Sequence, residues 1–512
     1  MLGGVLMFGA AGCTDDFERF NTDPKAPTPE QMEGDFASTA TLISNMIPFA
    51  LVNGQENNSQ MLDVFVGACY GGMSAQADHW NSGLQNYGTL NPPVGWSGNT
   101  FDTTMPGIYT PFFMIRDISG GEGLTYYWAN LLRIIGTLRV SDTYGPTPFS
   151  KIGSGTDFAV AYDDMPTLYN AMFEQLDLVI AGLKESVGST TTTSLFGNVD
   201  YIYGGDISKW VKLANTIKLR MALRLVNVEP ALAKQKAEEA VSDAGGLISE
   251  PGDAAWSSFL PGGNALHKQC TLWGDTRVSA DITSYMNGYN DPRLSIYMTK
   301  ATNDTYTGAR IGVPNAKTTT GYQGSSQFNM TAESKLLAIA ASESWFARAE
   351  GALRGWTMGG DAKYLYEQGV KVSMQERGAQ IGNYLESTAV PAKHVDLESS
   401  SYNIDPVSTV CPEFDETASF EVNLERIMVQ KWLGNFPNGW ETWADFRRTG
   451  YPKHFPVVVN YSTDGVSSSR GMRRLPFPQS EFNTNEANVK AAQQMLGGPD
   501  TGATDLWWAK KN

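Results

Sequence analysis

The chain has 512 residues, of which 41% are hydrophobic, 11% aromatic and 18% charged, a balance that supports a sizeable core and excludes a disordered or fibrous protein. Its 38 Lys+Arg against 54 Asp+Glu leave a formal net charge of -16, a field that repels phosphate backbones and argues against a nucleic-acid partner. Cys13, Cys69, Cys270 and Cys411 stand far apart with no histidine at ligand spacing, so neither a zinc site nor any other metal or cofactor is expected.

The first residues, MLGGVLMFGAAGC, form an apolar run too short to span a bilayer and end in small side chains before Cys13. Residues 1–12 therefore read as a signal peptide. Ala10-Ala11-Gly12-Cys13 resembles the bacterial lipobox, in which small side chains fit the signal peptidase cleft and the cysteine thiol receives diacylglycerol. Ala10 stands where Leu is more common, and the missing basic start implies a start upstream of Met1. An acylated Cys13 holds a chain on a membrane through about 0.8 kcal/mol per buried methylene. It also leaves three cysteines, enough for at most one disulfide. Residues 13–30, rich in acids and prolines without apolar periodicity, suit a tether and an N-terminal arm, and the fold is expected over 31–512. No later stretch has the apolar length of a transmembrane helix, so contact with the membrane is expected through the lipid alone.

Helical periodicity appears first over 165–187, where Leu168, Met172, Leu176, Val179 and Leu183 share one face. A glycine- and threonine-rich loop follows. The next helix opens at Asp206, a good N-cap, and runs to about Asn227 with Trp210, Leu213, Ile217, Met221 and Leu225 buried. Its Lys209, Lys212, Lys218, Arg220 and Arg224 are then mostly solvated or paired. The stretch 334–354 places Ala338, Ala341, Trp345, Ala349 and Leu353 at helical spacing, and a further helix over 361–377 can fold back on it. Such helix-turn-helix pairs are the units of tetratricopeptide-like repeats, although no clean 34-residue period is visible. Three long connections, 80–105, 260–279 and 302–330, are rich in Gly, Asn, Ser, Thr and aromatics, and long irregular connections tend to carry function.

No G-x-S-x-G elbow, H-E-x-x-H or Walker loop occurs, and His79, His267, His394 and His454 are isolated, so no catalytic residue is assigned. Among 54 carboxylates a pair can stand together by chance, which keeps a glycoside hydrolase as a distant alternative. The aromatic loops say more. Sugars stack their C–H faces on aromatic rings and need amides and carboxylates beside them for their hydroxyls. The stretch DHWNSGLQNYGTLNPPVGW offers that mixture in Asp78, Trp80, Asn81, Gln85, Tyr87, Asn91 and Trp96, and HKQCTLWGDTR adds Trp273. Asp78, Trp80, Asn81, Tyr87, Trp96 and Trp273 are therefore the expected ligand-binding residues.

Several ordered motifs resemble the SusD/RagB family, in its SusD-like branch of outer-membrane nutrient-binding lipoproteins. They are FERFNTDPKAPT after the lipobox, SDTYGPTPFS at 141–150, YGGDISKWVKLANTIKLRMALRLVNVEP at 203–230 and SADITSYMNGYNDPRL at 279–294. AEGALRGW at 349–356, QKWLGNFPNGWETWADFRRTGYP at 430–452 and the ending RRLPFPQSEFNTNEANVKAA with LWW continue the series. Thr147 departs from the small or acidic residue usual in the family. The resemblance implies a mainly α-helical single domain with tetratricopeptide-like units on one side, a loop-built ligand face and few short strands. It further implies a lid over a SusC-like, TonB-dependent β-barrel transporter, with Asp15-Asp16 as the signal for the outer leaflet. Family members bind glycans or peptides, so peptide capture stands as the alternative to glycan capture.

Overall fold

The computed structural model describes residues 37–76, 84–153, 159–188, 196–314 and 316–510. Residues 1–36, which include the expected signal peptide, Cys13 and the expected tether, and the residues Asp78, Trp80 and Asn81 lie outside the described residues.

Three helices, α1 (Ala37–Ala50), α2 (Asn99–Ser119) and α3 (Gly123–Tyr144), pack together at the N-terminal end. From Trp128 to Tyr144 every residue of α3 is buried, as befits a helix at the centre of the core rather than at its surface. Helix α4 (Met165–Lys184) starts where Asp164 caps Thr167 N at 2.8 Å, and the five periodic residues from Leu168 to Leu183 are buried as their spacing predicts. Asp206 likewise accepts from Ser208 N at 3.0 Å and opens α5 (Ile207–Arg224), which tightens into a 3-10 turn at Leu225–Asn227. Helix α6 (Pro230–Ser242) packs on α5. Part of the glycine- and threonine-rich loop before α5, residues 189–195, lies outside the described residues.

Two short antiparallel sheets brace the helices. In one, β1 (Ser74–Gln76) pairs with β3 (Thr276–Val278), Gln76 opposite Thr276; in the other, β2 (Ala255–Ser257) pairs with β4 (Leu336–Ile339). Strand β4 corrects the expected helix over 334–354. Leu-Leu-Ala-Ile is buried on both faces, so its apolar run carries no period, and its backbone groups pair with Ala255–Ser257 instead. After β3 comes α7 (Ala280–Tyr289), and the expected helix begins only at α8 (Glu343–Leu353). Helix α9 (Ala362–Arg377), capped by Asp361, folds onto α8, followed by α10 (Phe420–Asn435), α11 (Trp440–Thr449), α12 (Gln479–Thr484) and α13 (Glu486–Met495). The pairs α3/α4, α5/α6 and α8/α9 adjoin one another through α4/α5 and α5/α8, the stacking expected of helix-turn-helix units.

The motifs at 203–230 and 430–452 meet in a buried ionic cluster. Arg224, 1% exposed, donates to Glu441 at 3.0 and 2.5 Å and to Asp142 at 3.2 Å. Lys431 Nζ lies 2.8 Å from both Glu441 and Asp445. Arg220 donates to Glu343 at 2.8 and 2.9 Å, and Arg448 to Glu350 at 2.7 and 2.6 Å. Charges survive such burial only when paired, and of the α5 positions expected to be solvated or paired, Arg224 is paired inside the core and the partly buried Arg220 is paired beside it. Burial pushes the Glu441 carboxyl up, but Arg224, Lys431 and Arg220 together hold it well below the ordinary range. At Glu350 the same contest, with Arg448 and Arg354 opposing burial, holds the carboxyl at about 2.

Candidate functional site

The sheet β1/β3 gathers the three long connections. Asn86 and Asn91 exchange backbone hydrogen bonds at 2.8 and 3.1 Å, which closes residues 86–91 into a compact turn. Gln76 seats that turn on β1, its Oε1 accepting from Tyr87 N at 2.7 Å and Gly88 N at 3.3 Å. Across the sheet, Asp275 accepts from Gln60 Nε2 at 2.9 Å and from Lys317 Nζ at 2.7 Å. Arg277 donates to Gln323 Oε1 at 2.8 Å, the Tyr322 hydroxyl donates to Ala75 O at 3.0 Å, and Thr271 reaches Gln327 at 3.3 Å. Gln76 and residues 86–91, 268–277 and 317–327 are thus tied together around the sheet. Gln76, Asp275 and Arg277 hold them together and were passed over in the sequence; their only signal is a polar side chain in or beside a short strand between loops.

The expected ligand residues separate. Tyr87 is 0% exposed, its ring 5.4 Å from Phe65 and 6.2 Å from Tyr70, and burial pushes its hydroxyl ionisation upward. It therefore has no face to offer a ligand and supports the turn from beneath, a correction that follows from the tight seating of that turn on Gln76. Trp96 is half-buried against the core on the helical turn Val94–Ser97, so residues 84–105 are less irregular than their composition suggests and pass into α2 at Asn99. Trp273 is half-buried at the exit of a π-helical turn, Lys268–Leu272, with its N–H donating to Lys268 O at 2.9 Å. It stands three residues before Thr276, the partner of Gln76.

Other sites find little support. Among the described residues no group of three or more His, Cys, Asp or Glu could hold a metal ion, and no helix is long and apolar enough to cross a membrane. Cys69, Cys270 and Cys411 are free thiols, the Cys69 thiol pushed up to about 12 by burial. The cavity beside Arg139, Arg220, Arg224 and Glu441 measures about 40 Å³, room for water and not for a nutrient.

A family model described as SusD-like, "Susd and RagB outer membrane lipoprotein", matches residues 19–509. The chain belongs to the SusD-like family. A SusD-like protein from Bacteroides thetaiotaomicron VPI-5482 is 35% identical, with a TM-score of 0.86 over 93% of this chain and 99% of that one. A SusD homologue from Bacteroides uniformis ATCC 8492 is 34% identical, with a TM-score of 0.87 over 93% and 99%. A chitin-binding SusD homologue from Flavobacterium johnsoniae is 35% identical, with a TM-score of 0.86 over 94% and 99%. No curated protein matches. The SusD-like fold accounts for the helix pairs and the few short strands together, and the motifs at 203–230 and 430–452 take their place in it as the two halves of the buried ionic cluster.

Proposed function

We propose that this protein captures a glycan at the cell surface and delivers it to a SusC-like TonB-dependent β-barrel transporter, without chemistry of its own. The observation that carries the reading is the convergence of three aromatic- and amide-rich connections on the sheet β1/β3, through Gln76 with the 86–91 turn, Asp275 with Lys317, and Arg277 with Gln323. Rings beside amides and carboxylates suit sugars, whose C–H faces stack while their hydroxyls need polar partners. The chitin-binding relative supports a glycan over a peptide and makes chitin oligosaccharides the first ligands to try.

Trp80 and Trp273 are the stacking residues, with Trp96 on the flank and Asp78 and Asn81 as hydrogen-bonding partners. Calorimetry with chitin, starch and fructan oligosaccharides tests this. Trp80→Ala and Trp273→Ala should each lose about 2 kcal/mol, roughly thirtyfold in affinity, and Trp96→Ala less. Wild-type affinity in all three variants would move the site elsewhere, and binding of peptides alone would replace glycan capture by peptide capture.

In the same reading, residues 1–12 are cleaved, Cys13 carries the lipid and residues 13–30 tether one domain, 31–512, to the outer membrane. Cys13→Ala should release the protein from the outer-membrane fraction; retention there would remove the anchor. A tagged copy in mild detergent should bring down a large β-barrel through an interface of about 1,200–2,000 Å² or more, and recovery of the protein alone would sink the partnership.

A further inference from the structure

A groove lies between the outer end of the 86–91 turn with the turn Val94–Ser97 on one side and residues 463–502 on the other. It is an open groove of about 330 Å³, within the range of small-ligand sites. Pro92, Val94, Phe477 and Phe482 give it apolar surface, and Asn91 and Gln479 give it amides. Val94 at its rim is 66% exposed.

The charges of the groove are one-sided. Asp464 and Asp500 line it, and no lysine, arginine or histidine among the described residues does. Asp500 is held from below by buried Arg474, by Phe477 N at 3.1 Å and by Gln493 Nε2 at 3.0 Å. Asp464 accepts from Gly502 N at 2.9 Å and from the Ser462 hydroxyl, with no cation partner among the described residues. Each carboxylate oxygen has two lone pairs, so both groups keep capacity to accept from a ligand. Two further carboxylates stand behind the wall: Asp102, which takes the Ser480 hydroxyl at 2.5 Å, and Glu481, which takes the Tyr162 hydroxyl at 2.7 Å. Burial, with the charge of Glu481 added, holds the Asp102 carboxyl above its ordinary range despite the Ser480 bond. Such a field rejects carboxylate, sulfate and phosphate and accepts hydroxyl and amine donors.

We propose that this groove is a second sugar-binding site, specific for a hexose or amino-sugar unit that carries no anionic group. The inference rests on the glycan-capture reading and adds an accessory contact along the same class of ligand. Phe482 supplies the stacking surface, Asn91 and Gln479 bind hydroxyls, and Asp464 selects against acidic sugars.

Met472 lines the groove and serves as a reporter. The full chain labelled with 13C-methyl methionine, with the Met472 signal assigned through Met472→Leu, can be titrated with N-acetylglucosamine, glucosamine and glucuronate. The Met472 signal should move saturably with the first two sugars and stay fixed with glucuronate. Phe482→Ala and Asp464→Asn should each weaken that response about tenfold. A silent Met472, an equal response to glucuronate, an unchanged response in both variants, or a response only to a basic tetrapeptide would each overturn the proposal. Parallel calorimetry with a chitin hexamer keeps the two readings apart. Binding retained there with a silent Met472 removes the second site alone, whereas binding of no glycan by the intact protein removes the capture reading itself.

Discussion

Replacing Glu441 by Gln keeps the side-chain shape and removes one charge from the centre of the ionic cluster. Arg224 at 2.5 Å, Lys431 at 2.8 Å and Arg220 at 3.1 Å would then face a neutral amide in the buried interior. Asp142 and Asp445 still partner Arg224 and Lys431, but one carboxylate that serves three cations is lost. Breaking a buried pair in this way costs about 3–5 kcal/mol, because the surviving charge stays desolvated. An unfolding entropy of about 2.1 cal/mol/K per residue over 512 residues is about 1 kcal/mol/K, so Tm should fall by about 4 °C. Differential scanning calorimetry reads this directly. The control is Glu416→Gln, which breaks a surface pair with Lys363 at 3.4 Å whose side chains are 68% and 43% exposed, and which should move Tm by less than about 1 °C. Lys431→Met combined with Glu441→Gln should recover part of the loss, since fewer buried charges are left without a partner. A Glu441→Gln shift no larger than that of Glu416→Gln, with no recovery in the double variant, would refute the view that this cluster carries stability.

Acid should destabilise the protein through the same groups. Glu350 is held at about 2 against an ordinary 4.5, so its contribution, on the order of 3 kcal/mol, is complete above about pH 4.5 and lost as pH falls toward 2; Tm measured from pH 6 to pH 3 should decline over that window, and less so in Glu350→Gln. The Cys69 and Cys270 thiols are buried with raised ionisation, whereas Cys411 is half-exposed, so iodoacetamide on the native protein should label Cys411 first by peptide mass mapping. Equal labelling of all three would show that the core opens. Tyr87 buries a hydroxyl with no hydrogen-bond partner among the described residues, so Tyr87→Phe should leave glycan affinity unchanged and hold or raise Tm; a clear loss of affinity would return Tyr87 to the ligand face.

Local signals in the chain were enough for the elements whose stability is decided locally. Periodic apolar residues with an aspartate at the N-cap fix α4, α5 and α9, because side-chain spacing on a helix and the unpaired N–H groups at its start depend only on neighbours in sequence. The family motifs carried the fold class further. Tertiary structure alone decided three things. Leu336–Ile339 is a strand because Ala255–Ser257, about eighty residues earlier, supplies its hydrogen bonds, and no period within four buried apolar residues can reveal a distant partner. Arg224 lies inside the core, with the partly buried Arg220 beside it, because carboxylates from α3, α8 and α11 meet them there; whether a charged side chain is solvated or paired stays open in a sequence until its partners are assembled around it. Tyr87 is buried and Trp273 partly exposed because Gln76 holds the 86–91 turn down onto β1, and which ring of an aromatic loop faces water is set by what lies beneath it.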